Sequence, residues 1–487
     1  MTNSQSGGAI VGVAICQADH FSMAIAGGKT LRKAKMSLAT ILAMALLAIS
    51  APPTSAQSTH NFTGDTDGDH SQGGVQTYTV LHAFAAGTDG AVPNSIIRDA
   101  EGNIYGATKF GGILDCGEDS CGTVFKIDSA GNETILYRFQ GGDNGYGPYA
   151  GLARDAKGNL YGTTQGNGFV GGASVVFKVD PQGQETVLFV AGETAQACCL
   201  DSPVAVDAEG NLYGMSPFGG SPNCGLVENN LGCGTLFKIS PSGKFKVLHV
   251  FKGTDGIQPE GGVVLDAKGN IYGSAAYGGN LKCNYPGWGM NKEEGCGTIY
   301  KLEPSGKFTV LHAFTGPKDG SDPLGLIIDD DGNLYGIADS GGDTIKKTNW
   351  EYGLGTIFKV DTTGKYSVLF TFSPCTDPPC KEGQVLNHLY ASHLVRDSKG
   401  NLYGLQEVNN CAFAGGCLFR IDTKGKITDL YDFTQDQSGA PIIPSMGLIL
   451  GSHGDFYGST PIGGSAQPEC NDEGFIQGCG SVFHLTP

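Results

Sequence analysis

The chain has 487 residues, 78 of them glycine and 15 cysteine, and a formal charge of −17 at neutral pH. So acidic a surface repels phosphate backbones and anionic headgroups, which excludes nucleic acid and membrane surfaces as expected partners. The glycines fall in recurring turns, so their abundance does not imply disorder.

In chain order, Lys29, Arg32, Lys33 and Lys35 precede an apolar run from Met36 to Ile49, and Thr54, Ser55 and Ala56 offer a small-residue cleavage site. This predicts a secretory signal peptide with an extended leader over 1–56, with Met23 an alternative start and an apolar run too short for a comfortable membrane span. Removing the leader takes away its four basic residues and Asp19, changing the charge from −17 to −20. Gln57 and not a cysteine stands directly after the cleavage site and no anchor is expected, so the expected product is secreted or periplasmic, of bacterial type and monomeric. Residues 57–76 read as a polar linker. Asp65, Asp67, Gly68 and Asp69 superficially resemble a calcium loop, but Gln76 stands where a bidentate Glu belongs.

From 77 to 487 the chain repeats one phrase seven times. DAKGNLYG begins at Asp155, with further copies at Asp99, Asp207, Asp266, Asp329 and Asp397 and a worn one, GSHGDFYG, at Gly451. The refrain tyrosines, Tyr105, Tyr161, Tyr213, Tyr272, Tyr335, Tyr403 and Tyr457, recur about every 59 residues. Each refrain is a strand, a tight Asp-x-x-Gly-Asn turn with a bulge, and a return strand. The aliphatic residues before it, such as Val263 to Leu265, predict a first strand buried on both faces. The tyrosines, present in every unit, are assigned to packing between units.

A third strand follows, as in GTIFKVD from Gly355, and then a turn and a fourth, as in KFTVLHAF from Lys307. Four successive strands make an antiparallel meander. The seventh unit ends after its third strand, while one spare fourth strand, Tyr78 to Phe84, precedes the first unit. The count predicts an all-β fold, a seven-bladed β-propeller of four-stranded antiparallel blades whose ring is closed by one N-terminal and three C-terminal strands, which removes the free edge.

Cys16 leaves with the leader. The other fourteen group as Cys116 with Cys121, Cys224 with Cys233, Cys283 with Cys296, Cys375 with Cys380, Cys411 with Cys417, Cys470 with Cys479, and the adjacent Cys198 and Cys199. Short loop disulfides suit an exported chain, and the isolated pairs lack metal-site spacing.

The combination YGxxxxGG, GCGT[VIL][FY]K and VL[HYF]xF, spread over Tyr78 to Pro487, resembles the GloVer-type (Gloeo/Verruco) tandem repeat of exported bacterial proteins. That resemblance implies a secreted or surface propeller-like protein of unassigned biochemical role. In strand order the chain is also similar, more distantly, to NHL-repeat propellers, a likeness of fold and not of function.

Tight turns share one face of such a ring, and the long variable loops share the other, where binding is expected. Trp288 and Trp350 lie in equivalent long loops with Tyr285 and Tyr352 nearby, as a platform for a sugar ring or an extracellular protein. His82, His249 and His312 occupy an aromatic slot of the fourth strand. His393 replaces a repeated glycine near the expected channel mouth, with His388 close in sequence, and Arg98, Arg154 and Arg396 interrupt the apolar pattern before the refrain. A channel site built on His393 with arginine clamps would suit a lyase or lactone hydrolase. With no nucleophile motif, no metal site and no cofactor motif, the expected function is non-catalytic binding of a glycan or protein through the long-loop face. The channel enzyme and a structural envelope protein are the alternatives.

Overall fold

The computed structural model describes residues 59–60, 77–112, 121–165, 174–191, 197, 200–220, 232–283, 295–342, 353–374, 384–385, 394–407, 416–433, 447–463 and 478–486. Seven antiparallel sheets follow one another around a ring, each carrying one refrain. Blade five shows the plan: Ser321–Ile328 pairs with Leu334–Ser340, which pairs with Thr356–Val360, which pairs with Tyr366–Thr371. Among the described residues no helix is long and apolar enough to cross a membrane.

Closure follows the strand count. Thr77–Ala83 pairs antiparallel with Ser481–Thr486, from Thr77 opposite Thr486 to Ala83 opposite Ser481, and completes the sheet of Phe456–Thr460 and Leu448–Leu450. Within the stretch expected to be linker, Thr59–His60 adds a short outermost strand against Thr77–Ala83.

The refrain turn is the expected bulged hairpin. In blade one the Gly102 N–H donates to the Asp99 carbonyl at 3.1 Å and the Asp99 N–H to the Asn103 carbonyl at 2.9 Å, with Gly102 at φ +89°. That left-handed conformation is why the position holds glycine in all seven copies.

The first strands differ from expectation. Most contain two or three residues, and Val264, Leu265, Ile327 and Ile328 are only half-buried. First strands of consecutive blades adjoin, so they are the innermost, and one side of each faces the central channel rather than another apolar layer. The continuous burial falls on the third strands instead, in patterns such as Thr356–Val360, where only Lys359 is half-exposed.

Two aromatic positions weld the blades. The third-strand ring pairs opposite the refrain glycine in every blade: Phe125 with Gly106, Phe177 with Gly162, Phe237 with Gly214, Tyr300 with Gly273, Phe358 with Gly336, Phe419 with Gly404 and Phe483 with Gly458. A Cβ on any of these glycines would come within 2.7 Å of the ring. In every blade but the second, where Ala191 holds the place, a phenylalanine ends the fourth strand and meets the next blade's ring edge-on, as in Phe314 with Phe358 at 5.5 Å, Phe433 with Phe483 at 5.2 Å and, across the closure, Phe84 with Phe125 at 5.1 Å. Such pairs contribute about 0.5–1.5 kcal/mol each beyond the area they bury.

Cys283 and Cys296 are joined, as their spacing predicted, with Cα atoms 5.7 Å apart. Cys121, Cys233, Cys417 and Cys479 are also disulfide-bonded. The remaining paired candidates, Cys116, Cys224, Cys375, Cys380, Cys411 and Cys470, and the adjacent Cys198 and Cys199, lie outside the described residues.

A Cβ at Gly336 would sit 2.5 Å from Phe358 Cζ and 2.8 Å from Leu326 Cδ2. Gly336→Ala is therefore expected to destabilise the protein by about 1–3 kcal/mol through overpacking. Chemical denaturation would show this as a lower midpoint, partly restored in the double variant with Phe358→Leu; an unshifted midpoint would mean the ring does not need the glycine.

Candidate functional site at the channel mouth

The tight-turn face is occupied by its own architecture. In blades one to six the refrain Asp accepts the Asn backbone N–H on Oδ1 and the Tyr hydroxyl on Oδ2, the latter at 3.0 Å in Asp99, Asp155, Asp207, Asp329 and Asp397. Burial alone would raise these carboxyls, but the Asn and Tyr hydrogen bonds outweigh it and hold them below the usual range. In blade seven Asp455, at the Asn position, supplies the missing carboxylate and binds His484 Nε2 at 2.9 Å. The tyrosines thus serve packing, and third-strand lysines cover their rings, as Lys359 covers Tyr335 at 5.4 Å.

The refrain arginines join this face too. Arg154 lies over Tyr105 with Nη2 3.7 Å from Asp99, Arg396 over Tyr335 with Nη2 3.8 Å from Asp329, and Arg98 over Tyr457 at 4.6 Å. Each reaches the preceding blade around the ring, so Arg396 is brought to a turn and not to the long loops. His249 and His312 fill the expected aromatic slot, stacked 3.7 Å from Phe308 and Tyr366 of the next blade. Trp288, Trp350, Tyr285, Tyr352, His388 and His393 lie outside the described residues.

At the opposite end of the channel the segments leading into successive first strands crowd together. A Cβ at Gly261 would meet the Gly325 nitrogen at 2.6 Å, one at Gly262 would meet Pro203 at 2.8 Å, and Ser274 Oγ donates to the Leu324 carbonyl at 2.8 Å. These contacts draw blades three, four and five together and with them Asp201, Glu260 and Asp322. Asp339 joins from the second strand of blade five, since Asp322 and Asp339 lie between the paired Ser321–Ser340 and Pro323–Ala338.

Four carboxyl groups thus meet at one mouth, on the long-loop face. Burial pushes Asp201 up to about 6 and Asp322 up to about 7. Burial and the Asp322 charge raise Asp339 as well, and burial with the charges of Asp201 and Asp322 raises Glu260. Glu260 keeps contact with solvent, so its neighbours' effect on it is screened. Asp339 is only 9% exposed, and its Oδ1 and that of Asp201 are buried without a hydrogen-bond partner. Buried carboxylate oxygens in that state call for an external donor or cation.

Blades one and two contribute a different surface. Lys109 holds in blade one the strand position of Asp339, and Tyr149 follows Pro148 as Glu260 follows Pro259. Lys109 Nζ lies 5.0 Å from the Tyr149 ring centroid, and Tyr149 is 37% exposed, the most exposed large apolar side chain among the described residues. The mouth is acidic on one side and aromatic with a cation on the other.

None of these residues was singled out from the sequence. The signal was nonetheless there: Asp322 stands before the recurring Pro where other blades have Val92, Gly147 and Gln258, and Glu260 stands after it where others have Asn94, Tyr149 and Leu324. The positive φ of Asp322, +57°, recurs at Val92 and Gln258, whose N–H groups bind the preceding blade's cysteine carbonyl in the same way, so that strain is architectural and the carboxylate is not.

The Gloeobacter/Verrucomicrobia repeat family matches residues 69–286 and 229–388. Among solved structures the chain is similar to a catalytically inactive variant of virginiamycin B lyase from Staphylococcus aureus with quinupristin, at 12% identity and a TM-score of 0.48, covering 85% of this chain and 99% of that one. It is also similar to a gluconolactonase from Xanthomonas campestris, at 13% identity and a TM-score of 0.36, covering 85% and 90%. No curated protein matches in sequence.

The carboxyl cluster imposes a pH dependence of definite sign. Asp201 and Asp322 hold protons in the folded chain up to about 6 and about 7, where the unfolded chain has released them above 3.8. Their contribution to stability is thus fully present below 3.8 and is lost as pH rises to about 6 and about 7. Melting temperatures measured from pH 5 to 8 should decline less in the double variant Asp201→Asn, Asp322→Asn than in the parent; equal slopes would mean the two groups titrate normally.

Proposed function

The chain belongs to the Gloeobacter/Verrucomicrobia repeat family, and we propose that this member is an exported, non-catalytic binding protein that takes a basic segment of a protein ligand at the long-loop mouth of its channel. The observation that carries the reading is the pair of orphaned, buried carboxylate oxygens on Asp201 and Asp339 beside Glu260 and Asp322. A lysine or arginine head group supplies the donors those oxygens lack and neutralises a cluster of like charge. Tyr149, exposed across the mouth, gives an adjoining side chain an aromatic face. Export is supported by the leader composition and by the disulfides.

One observation favours a second reading. A carboxyl titrating near neutrality beside others is the arrangement general acid–base catalysis uses, and Asp322 at about 7 fits it. This would make the mouth an enzyme site.

Calorimetric titration of the exported protein with a lysine-rich peptide, its charge-neutral counterpart and a set of polysaccharides separates these readings. The expected result is saturable binding of the basic peptide alone, weakened at least tenfold, or about 1.4 kcal/mol, by Glu260→Gln with Asp322→Asn, and weakened by salt. Binding of a polysaccharide lost on Tyr149→Ala would replace the basic partner with a glycan. Turnover of any substrate abolished by Asp322→Asn would establish the enzyme.

A further inference from the structure

The outer seam between the closing strand and blade one departs at one residue from the two seams that carry the same histidine and aspartate, those following blades three and four. In blades three and four the fourth-strand histidine meets an aspartate from the following loop and a ring from the next blade: His249 Nε2 is 2.9 Å from Asp255 Oδ2 and stacks on Phe308, and His312 Nε2 is 3.1 Å from Asp319 Oδ2 and stacks on Tyr366. At the closure the corresponding histidine and aspartate are His82 and Asp89, but the position of Phe308 and Tyr366 is held by Glu133. The His82 ring is placed as in the other seams, edge-on to the phenylalanine two residues later, 4.7 Å from Phe84 against 5.0 Å and 4.8 Å for the equivalent pairs.

Replacing the ring by a carboxyl group changes the chemistry of the seam. His82 Nε2 lies 3.4 Å from Asp89 Oδ2 and 3.7 Å from Glu133 Oε1, longer than good hydrogen bonds, and the side chains of His82, Asp89 and Glu133 are only 19%, 25% and 13% exposed. His82 Nε2 and Glu133 Oε1 are both fully enclosed and without a hydrogen-bond partner. The nearby Arg138 gives its Nε to the Thr88 carbonyl at 3.2 Å. Two half-buried carboxyls and an imidazole nitrogen thus converge with their ligand atoms within 4.8 Å of one another, the Asp89 and Glu133 carboxyls meeting directly.

We propose that His82, Asp89 and Glu133 form a binding site for a divalent transition-metal ion of the zinc class, which clasps the closing strand to blade one. The separations suit three ligands around one small ion, as donors about 2.0–2.2 Å from zinc in tetrahedral array stand roughly 3.3–3.6 Å apart. One imidazole with two carboxylates favours zinc, cobalt or manganese over calcium or magnesium, which prefer all-oxygen sets. Two carboxylates neutralise a divalent charge, and a fourth position is left for water. The three ligands come from the closing strand, the loop after it and the outer strand of blade one, so the ion ties the N-terminal strand to the ring at the one blade assembled from both ends of the chain. The Asp89 carboxylate is fixed for this by the Ala85 N–H, 2.8 Å from its Oδ2.

The test is calorimetric titration of the exported protein, stripped of any affinity tag and treated with chelator, with zinc chloride, alongside cobalt absorption spectra and melting curves. The expected result is one zinc per chain, a melting temperature that rises with zinc and falls on chelation, and a cobalt spectrum with ligand-field bands. Glu133→Phe restores the ring that the equivalent seams carry and should fold; it is expected to weaken zinc binding at least tenfold and to abolish the zinc-dependent rise in melting temperature. His82→Phe should do the same, whereas His249→Phe, in the matched seam of blade three, should leave zinc binding unchanged. Absence of stoichiometric binding to the parent protein, or binding that survives both Glu133→Phe and His82→Phe, would overturn the site.

Discussion

An aromatic ring lying across a glycine is the contact on which each blade depends. The second strand gives up its side chain opposite the third strand's Phe or Tyr, and the ring takes the space, as Phe358 does over Gly336. The ring so placed can receive the fourth-strand phenylalanine of the preceding blade, which makes the seam, and the same contact repeated from Phe84 to Phe125 makes the closure. Packing at this density leaves no room for an added methyl group, so the glycine follows from the ring rather than from any turn.

Because the scaffold is repeated, departures from it carry information. On the tight-turn face they are compensated within the architecture: Asp455 supplies the carboxylate that Gly451 cannot, and His484 takes over from the recurring lysine by stacking on Tyr457 at 4.3 Å. At the channel mouth they are not. Asp322 and Asp339 set two carboxyl groups side by side on adjoining strands, where burial disfavours their charged forms, and buried oxygens of Asp201 and Asp339 have no protein partner. Glu133, at the outer seam of the closure, is of the same uncompensated kind. The two faces of the ring therefore differ in physical state, one with its refrain carboxylates hydrogen-bonded within the architecture and the other holding carboxyl groups for something outside the chain.

Much of the fold could be read directly. The bulged refrain hairpin at Asp99 to Asn103, the Cys283–Cys296 bridge and the strand that closes the ring all stand where the residues placed them. The first strands were misjudged because an apolar run such as Val263 to Leu265 looks the same whether it faces a packed layer or a channel, and the innermost strands of a ring face the channel. The arginines before the refrain were assigned to that channel for the same reason: their chain position is inner, but their long side chains reach across to Asp99 and Asp329 of the neighbouring blade.

By itself the sequence determined the number of blades, their strand order, their turns and the manner of closure, since each is a matter of local pairing or of counting. Which departures meet was decided only by the tertiary structure. Asp201, Glu260 and Asp322 are about 60 residues apart along the chain, and they converge because glycines at 261, 262 and 325 let three lead-in segments touch at the ring's inner edge. His82 and Glu133 meet because closing the ring lays the N-terminal strand beside blade one. Periodicity records what every blade shares; contacts between blades depend on the curvature of the closed ring, which no single repeat contains.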